Sequence, residues 1–461
     1  MKDKEILYLL VAEDLCRRII NESKGVAYIV GGAVRGSVTG ESINDVDIVM
    51  NDSFVVLRRI DGIKVIDTKG LRFGSVKAEY REHIFDITRM RGEEVYQDGQ
   101  LIDYKDSATL ATDARRRDFT INTGYMRIEE NARVCITDPL DLFWDAITKR
   151  QIEFVGDPDE RIVEDPLRML RAYRLCAQLG WDINPSAQSG IMKQSEMIAS
   201  VAHERIRHEL NKILSIHDSY RIPAIFLMMY DAGLLSHILP ELHYAMTVTQ
   251  NKHHDETVGY HLLLTAGAIR KRNHLLRWAA LLHDIAKPKV KTWNKKKNDY
   301  TFYRHEVKSA FDAKAIMRRL KFSNKDIDYV FRLVYNHMFY ITSKTKLSTV
   351  RHRMYLVGYN MFRDLLRLRI ADRIGNLSKK SGITAHLKML LKMVRRIEKE
   401  DKVLKISDVV FNGHDAMKLG LKGKEVGELL DYLLKRCIRN PKLNKHRTLE
   451  KIAKKWIERR K

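Results

Sequence analysis

The chain has 461 residues, 44% of them hydrophobic and 31% charged, and its 83 Lys and Arg against 59 Asp and Glu give a formal net charge of +24. Such a length suggests about two to four compact units, and the composition excludes a disordered chain. No apolar run approaches the roughly 18 residues of a membrane span, and Cys16, Cys135, Cys176 and Cys437 form no CxxC pair, which argues against a thiolate zinc site or a disulfide framework. A cytoplasmic protein with a polyanionic partner, nucleic acid first, is the expectation.

In chain order, "MKDKEILYLLVAEDLCRRII" reads as an amphipathic helix interrupted by Glu13 and Asp14, too charged for a signal peptide. Up to about residue 150, the β-branched runs "AYIV", "VDIVM" and "HIFDIT" alternate with turns, the pattern of mixed α and β structure. Strands then nearly vanish. From "EDPLRMLRAYRLCAQLGW" onward apolar residues recur at helical spacing, with Gly and Pro mainly at element ends. "WNKKKND" reads as a basic loop between two helical patterns, and polar interruptions near residues 217–223, 250 and 400 mark candidate joints.

The stretch "VGGAVRGSVTGESINDVDIVM" at 30–50 carries the first chemistry. Side chains alternate along a strand, so Asp45 and Asp47 project from one face if "DVDIV" is extended. Two such oxygen ligands suit Mg²⁺, and in a two-metal arrangement they can activate an attacking hydroxyl and neutralise a departing pyrophosphate. Gly31 and Gly32 let backbone N–H groups approach phosphate, and Arg35 adds a fork of donors. In "EDPLRMLRAYR", Asp165, Arg168 and Arg171 fall at i, i+3 and i+6, a stripe down one helix face with Arg174 one step further round. Like charges so spaced call for a polyanion such as a nucleoside triphosphate. Cytosine and adenine both set an amine donor beside a ring-nitrogen acceptor, so one Asp–Arg pair can serve either base and leave the others unmatched.

"GGAVR", a glycine five residues on, four more residues and then DxD resembles the head signature of class II tRNA nucleotidyltransferases and bacterial poly(A) polymerases. The resemblance continues in order through "DARRRDFTIN" (113–122), "DPLD" (138–141), "EDPLRMLRAYR" (164–174) and "HERIRHEL" (203–210). It implies an α+β fold: a polymerase-β-like nucleotidyltransferase head of mixed sheet and helices, then a long all-α neck, body and HD domain. It also implies catalytic, Mg²⁺-holding Asp45 and Asp47, with Gly32 and Arg35 at the nucleotide. Arg117, Arg171 and Arg174 match its triphosphate-binding arginines, Asp118 and Asn122 its ribose-side residues, and Asp165 and Arg168 its base selector. Asp118 alone could also cap the helix that follows, and Asp86 in "HIFDIT" is a candidate third carboxylate. One departure is Gly36, where the family usually has aspartate. The stretch between Asp86 and "RRRDF" resembles the loop that CCA-adding members keep at full length, with Arg91, Glu93, Tyr96, Asp98 and Gly99 on its pattern and Gln100 in place of the usual arginine.

In "LLRWAALLHDIAKP", His283 and Asp284 end an apolar helical run, where a partly buried imidazole and carboxylate need a partner such as a divalent transition ion. The His–Asp dipeptide recurs at His217, His254 and His414 in loop-like settings. The ordered set His261, His283, Asp284, His305, His337 and Asp372 resembles the HD phosphohydrolase superfamily in its two-metal variant. That resemblance implies an Mn, Ni or Fe ion and the hydrolysis of phosphate esters, for instance at damaged or cyclic 3′ ends.

The expected division is a head at 1–150, a helical neck for RNA binding and nucleotide selection at 151–245, an HD-type domain at 246–398 and a tRNA-binding tail at 399–461. The expected function is template-independent addition of CCA to tRNA from CTP and ATP, with tRNA the partner and neither a membrane nor a protein partner implied. The alternatives are an A-adding or poly(A) polymerase of the same family, or chiefly an HD phosphohydrolase whose head binds nucleotide or RNA.

Overall fold

The computed structural model describes residues 3–23, 25–71, 74–90, 94–97, 100–104, 108–129, 133–339, 342, 344–379, 383–400 and 405–460. The chain divides into two compact units, Met1–Val201 with Asp231–Leu234, and Ala202–Tyr230 with Leu235–Lys461.

The first unit begins with α1 (Asp3–Ser23), β1 (Ala27–Val30), α2 (Gly32–Thr39) and β2 (Asp47–Met50). Then come β3 (Ile63–Asp67), β4 (Ser75–Tyr80), β5 (His83–Arg89), the separate hairpin of β6 (Glu94–Gln97) and β7 (Gln100–Tyr104), and α3 (Leu110–Arg115). β8 (Tyr125–Ile128), β9 (Val134–Thr137), α4 (Phe143–Lys149), α5 (Pro158–Glu164) and α6 (Leu167–Leu179) follow. Seven strands form one sheet in the order β3-β4-β5-β2-β1-β8-β9. Its pairings are antiparallel except for β2 with β5. The three strands legible in the sequence are its adjacent central members β5, β2 and β1.

Period-two alternation sorts the side chains of these strands onto two faces. Ala27, Ile29, Ile48, Met50, Phe85 and Ile87 enter the larger core, which α1 covers with Leu9, Ala12, Leu15 and Ile19. Val30, Val49 and Tyr125 join a smaller cluster with Met90 and Ala114. Asp47 shares the face of Val49, and the parallel register sets Asp86 directly beside it. The acidic interruption of α1 has a use: buried Glu13 accepts from Arg127 Nε at 3.0 Å, Arg127 Nη2 at 2.9 Å and the Ile128 N–H at 3.0 Å, tying the helix to β8.

The second unit is helical apart from short strands. "WNKKKND" is not a plain loop: Thr292–Asn294 pairs antiparallel with Asp299–Thr301, so the lysines ride the tip of a hairpin too short to show periodicity. Fully buried Arg277 joins two helix ends, donating from Nη1 to Leu214 O at 2.7 Å and Ile216 O at 2.8 Å, and from Nε to Ile269 O at 3.1 Å. These carbonyls follow the helices His203–Ile213 and Val258–Ala268, where orphan acceptors and the negative end of the helix dipole favour a cation. Burial pulls the Arg277 guanidinium down to about 10, and no carboxylate offsets this. Among the described residues no helix is long and apolar enough to cross a membrane.

Arg277→Leu, which leaves three buried carbonyls without a donor, is expected to destabilise the second unit by roughly 3 kcal/mol or more. Denaturant unfolding of the full chain checks this, and a midpoint within error of the parent would refute it.

Candidate nucleotide site and metal centre

Gly31 opens the turn into α2 with φ 72°, a left-handed conformation that favours glycine. A Cβ there would also lie 3.1 Å from Asp47 Oδ2, so the turn brings bare backbone against the carboxylate. Asp47 is the first residue of β2, and Asp45 is exposed in the link before it. Burial, followed by the charge of Asp86 and, more weakly, of Asp45, pushes the Asp47 carboxyl up to about 6, while Arg117 and Lys77 pull the other way. Lys77 Nζ donates to Asp86 Oδ2 at 2.8 Å. Acids so crowded fit a hard divalent cation, since carboxylate oxygens are the donors Mg²⁺ prefers.

Four of the nucleotide residues expected from the sequence, Arg35, Asn122, Asp118 and Arg171, form a connected row. Arg35, nearly buried on α2, donates from Nη1 to Asn122 Oδ1 at 2.8 Å. Asn122 Nδ2 donates to Asp118 Oδ1 at 3.0 Å, and Asp118 Oδ2 meets Arg171 Nη2 at 2.5 Å. Burial alone would raise the Asp118 carboxyl, but Arg171, Asn122, Arg174 and Arg168 outweigh it and hold it below the usual carboxylate range. Asp118 also accepts from the Phe119 N–H at 2.9 Å; it ties Asn122 and Arg171 together and does not cap the turn Thr120–Asn122. Arg117 is held by buried Asp113 at 3.0 Å and by the Tyr125 hydroxyl at 3.1 Å. Arg174 Nη1 donates to Gln178 Oε1 at 2.9 Å, and Gly32 is the exposed first residue of α2.

The single-helix stripe needs correction. Asp165 is not on α6 but at the break between α5 and α6, with φ −149° and ψ 97°. It precedes Pro166, whose ring disfavours helical backbone at the residue before it. Its Oδ1 accepts the Leu167 N–H at 3.2 Å. Arg168 Nη1 donates instead to Glu164 Oε2 at 2.6 Å and Arg161 O at 2.8 Å.

The departure at Gly36 also has a physical reading. A Cβ there would lie 3.0 Å from Ile43 Cγ1 and 3.2 Å from the Glu41 carbonyl oxygen, so glycine admits a close approach of the loop. That loop brings Glu41 to Arg35 at 3.4 Å, with Thr39 Oγ1 fixing the other carboxylate oxygen at 2.7 Å. An acid reaches the arginine from outside the helix. Of the loop pattern, Arg91, Glu93, Asp98 and Gly99 lie outside the described residues, while Tyr96 and Gln100 fall on β6 and β7.

In the second unit all six expected ligands converge. Asp284 Oδ2 lies 3.3 Å from His283 Nε2 and 3.8 Å from His261 Nε2, and its Oδ1 lies 3.1 Å from His305 Nε2 and 3.5 Å from His337 Nε2. Asp372 Oδ1 stands 3.3 Å from His261 Nε2 and 3.9 Å from His283 Nε2. Each imidazole is oriented through Nδ1 by a backbone carbonyl: Gly375 for His261, Ala280 for His283, Phe302 for His305 and Val334 for His337. With each Nδ1 at its carbonyl, all four Nε2 atoms face the carboxylates, and once neutral the imidazoles would present there the lone pairs a metal requires. His261 Nε2, His283 Nε2 and Asp284 Oδ1 are buried with no hydrogen-bond partner. This donor set of imidazole and carboxylate fits divalent transition ions, with Asp284 shared between two histidine pairs.

Sequence reasoning missed the support of this centre. Glu256 lies 3.3 Å from His261 Nδ1 and 2.6 Å from His254 Nδ1, so His254 belongs here, whereas exposed His217 pairs with its neighbour Asp218. Burial opposes charge on His261, but Asp372 and Glu256 hold it up to about 9. Lys287 Nζ binds Asp284 Oδ2 at 2.7 Å and Gln250 Oε1 at 2.7 Å, and Arg369 binds Asp372 at 2.8 Å. The "HD" dipeptide at 254–255 was a signal, although the orienting carboxylate is one residue further on.

The Asp47 shift has a sign that can be tested. With a folded value near 6 against an ordinary 3.8, the carboxyl binds its proton more tightly folded than unfolded, so that contribution to stability is present at low pH and lost as pH rises through about 6. Thermal unfolding without divalent ions is expected to show this loss for the first unit, and Mg²⁺ is expected to restore stability near neutral pH. A pH profile unchanged by Asp47→Asn would refute it.

Residues 27–153 match the model of the Poly A polymerase head domain, residues 180–246 that of the Probable RNA and SrmB-binding site of polymerase A, and residues 253–438 that of the HD domain. The CCA-adding enzyme of Lactobacillus johnsonii is 36% identical over 216 residues, 47% of this chain and 52% of that one. That of Leuconostoc citreum is 37% identical over 198 residues, 42% and 47% of the two chains. The chain thus spans about half the length of the curated relatives it matches. In fold it is similar to the Bacillus stearothermophilus CCA-adding enzyme in complex with CTP, with a TM-score of 0.67 and 21% identity, covering 100% of this chain and 99% of that one. The Thermotoga maritima CCA-adding enzyme complexed with tRNA-CCA is similar at a TM-score of 0.56 and 16% identity, covering 99% and 96%. Along the chain, in order, stand matches to the Poly A polymerase head domain, to a probable RNA-binding site of polymerase A and to the HD domain, and the fold is similar to that of CCA-adding enzymes.

Proposed function

We propose that the protein adds C, C and A to the 3′ end of tRNA from CTP and ATP without a template, in the cytoplasm. The observation that carries this reading is the row Arg35–Asn122–Asp118–Arg171, set across the Gly31–Gly32 turn from the acids around Asp47. The resemblance to CCA-adding enzymes, one bound to CTP and one to tRNA-CCA, favours it over an A-adding polymerase with the same head.

Asp45 and Asp47, with Asp86, would hold Mg²⁺, which when bound neutralises the triphosphate and favours an ionised hydroxyl. Arg117, Arg171 and Arg174 grip the triphosphate, Arg35 and the exposed Gly32 support it, and Asp118 with Asn122 faces the ribose. The 3′ oxygen of tRNA bonds to the α-phosphorus, its proton departs, and pyrophosphate leaves with the electrons of the broken bond. Asp165 and Arg168 read the base edge, for which Arg168 must exchange Glu164 for the nucleotide. We divide the chain as head 1–150, neck 151–245, HD domain 246–398 and tail 399–461, whose lysines and arginines would meet tRNA phosphates by shape and charge.

Full-length protein with Mg²⁺ and tRNA lacking CCA is expected to add two nucleotides from CTP alone and a third only when ATP is present, read on a sequencing gel. The double variant Asp45→Ala, Asp47→Ala is expected to add none. Tails of A alone would replace this reading with the poly(A) type, and no extension would end it.

We further infer that the second unit hydrolyses phosphate esters. Its support is the set of buried Nε2 atoms facing Asp284 and Asp372. His261, His283, Asp284, His305, His337 and Asp372 would hold Mn, Ni or Fe, which when bound acidifies water and polarises a phosphoryl group. Lys287 stands ready to neutralise the phosphate; a water oxygen bonds to phosphorus and the ester alcohol leaves with a proton. Protein incubated with Mn²⁺ or Ni²⁺ is expected to release phosphate from model esters, and Asp284→Ala to lose both this activity and the bound metal. Metal content equal to the parent in Asp284→Ala would count against the centre.

A further inference from the structure

A cavity of about 630 Å³ opens beside the metal centre, within the roughly 300–1,000 Å³ range of small-molecule sites. At its deep end are Lys287 and His305, both against Asp284; at its mouth are Lys252, Lys297, Tyr300 and Tyr303, all but the first on or beside the hairpin Thr292–Asn294 and Asp299–Thr301. Its lining holds three lysines and two histidines against one acid, Asp299, whose Oδ1 is taken by the Tyr300 N–H at 2.8 Å. The hairpin carries aromatic rings that the core does not claim: Trp293 is 52% exposed, Tyr300 37% and Tyr303 62%. Trp293 packs edge-on to Tyr300 with centroids 5.0 Å apart, Lys291 Nζ lies 4.2 Å from the Tyr300 centroid, and Lys297 Nζ lies 5.6 Å from that of Tyr303.

A small phosphate ester such as glycerol phosphate would use the deep end and leave the aromatic mouth idle. A ligand that is anionic at one end and flat and π-rich at the other uses both, because a base stacks on tyrosine while its phosphate meets lysine. We propose that the hairpin is a base-stacking platform, with Tyr300 and Tyr303 holding the base of a nucleotide whose phosphate ester reaches Lys287 and the metal centre. The nucleotide is either free or the end of an RNA strand, which share this chemistry. The hydrolytic arm of the test rests on the phosphohydrolase reading above; the binding arm does not.

In the binding arm, metal-free full-length protein is titrated with adenosine monophosphate or ribose 5-phosphate while tryptophan fluorescence is followed. The expected result is a change with the nucleotide alone, absent in Trp293→Phe, weakened about tenfold or more in Tyr300→Ala and Tyr303→Ala, and retained in Tyr300→Phe and Tyr303→Phe. In the hydrolytic arm, Mn²⁺-loaded protein is given the 2′-, 3′- and 5′-monophosphates of adenosine, a short oligoribonucleotide with a terminal phosphate, and ribose 5-phosphate. The alanine variants are expected to raise KM for nucleotide substrates about tenfold and leave ribose 5-phosphate unchanged; whichever of free nucleotide and RNA end shows this is the source. Equal effects on ribose 5-phosphate and nucleotide, or no effect of either variant on both arms, would overturn the platform. Base-dependent binding without hydrolysis of any ester would keep the platform and remove the hydrolase, whereas hydrolysis indifferent to base and tyrosines would do the reverse.

Discussion

A charge taken out of water is costly unless an opposite charge or a full set of hydrogen bonds meets it, and both units are organised by that constraint. In the head, Glu13 fastens α1 to β8 through Arg127, Asp113 holds Arg116 and Arg117, and Asp118 holds Asn122 and Arg171. In the helical unit Arg277 donates from Nε and Nη1 to three carbonyls, and Asp284 gathers four imidazoles and a lysine. At Asp47 the balance is incomplete. Its nearest fixed charges include two further acids, and the deficit is one a divalent cation would fill.

Much of this was legible from the residues. "AYIV", "VDIVM" and "HIFDIT" alternate strongly enough to mark three central strands, and the helical spacing after "EDPL" marks α6. The six residues that converge at the candidate metal centre could be named because their order resembles that of a known superfamily. Elsewhere the signal was too short or too distant. Spacing alone continued the helix back through Asp165, where the proline ring breaks it. Three-residue strands around "WNKKKND" carry no period to read. Glu256 and Arg369 matter through what they touch, and only the fold brings Glu256 against the loop at Leu377, whose N–H it accepts at 3.1 Å.

Gly36 and Glu41 show how one departure can be absorbed. Losing a carboxylate beside Arg35 would leave a nearly buried guanidinium short of charge, yet the missing Cβ is what lets a loop carboxylate approach. The two positions work as a pair, so restoring aspartate at 36 without moving the loop would crowd Ile43 and the Glu41 carbonyl.

The ion pairs along α6 bear on turnover. Arg171 rests on Asp118 and Arg168 on Glu164, so on the proposed reading an incoming triphosphate would trade partners with these acids instead of filling an empty positive groove. Each exchange returns only the difference between two ion pairs, which makes the grip weaker than a count of arginines suggests and makes letting go correspondingly easy. For a catalyst of the proposed kind, which would discard pyrophosphate and change nucleotide between additions, that reversibility is worth more than tight holding.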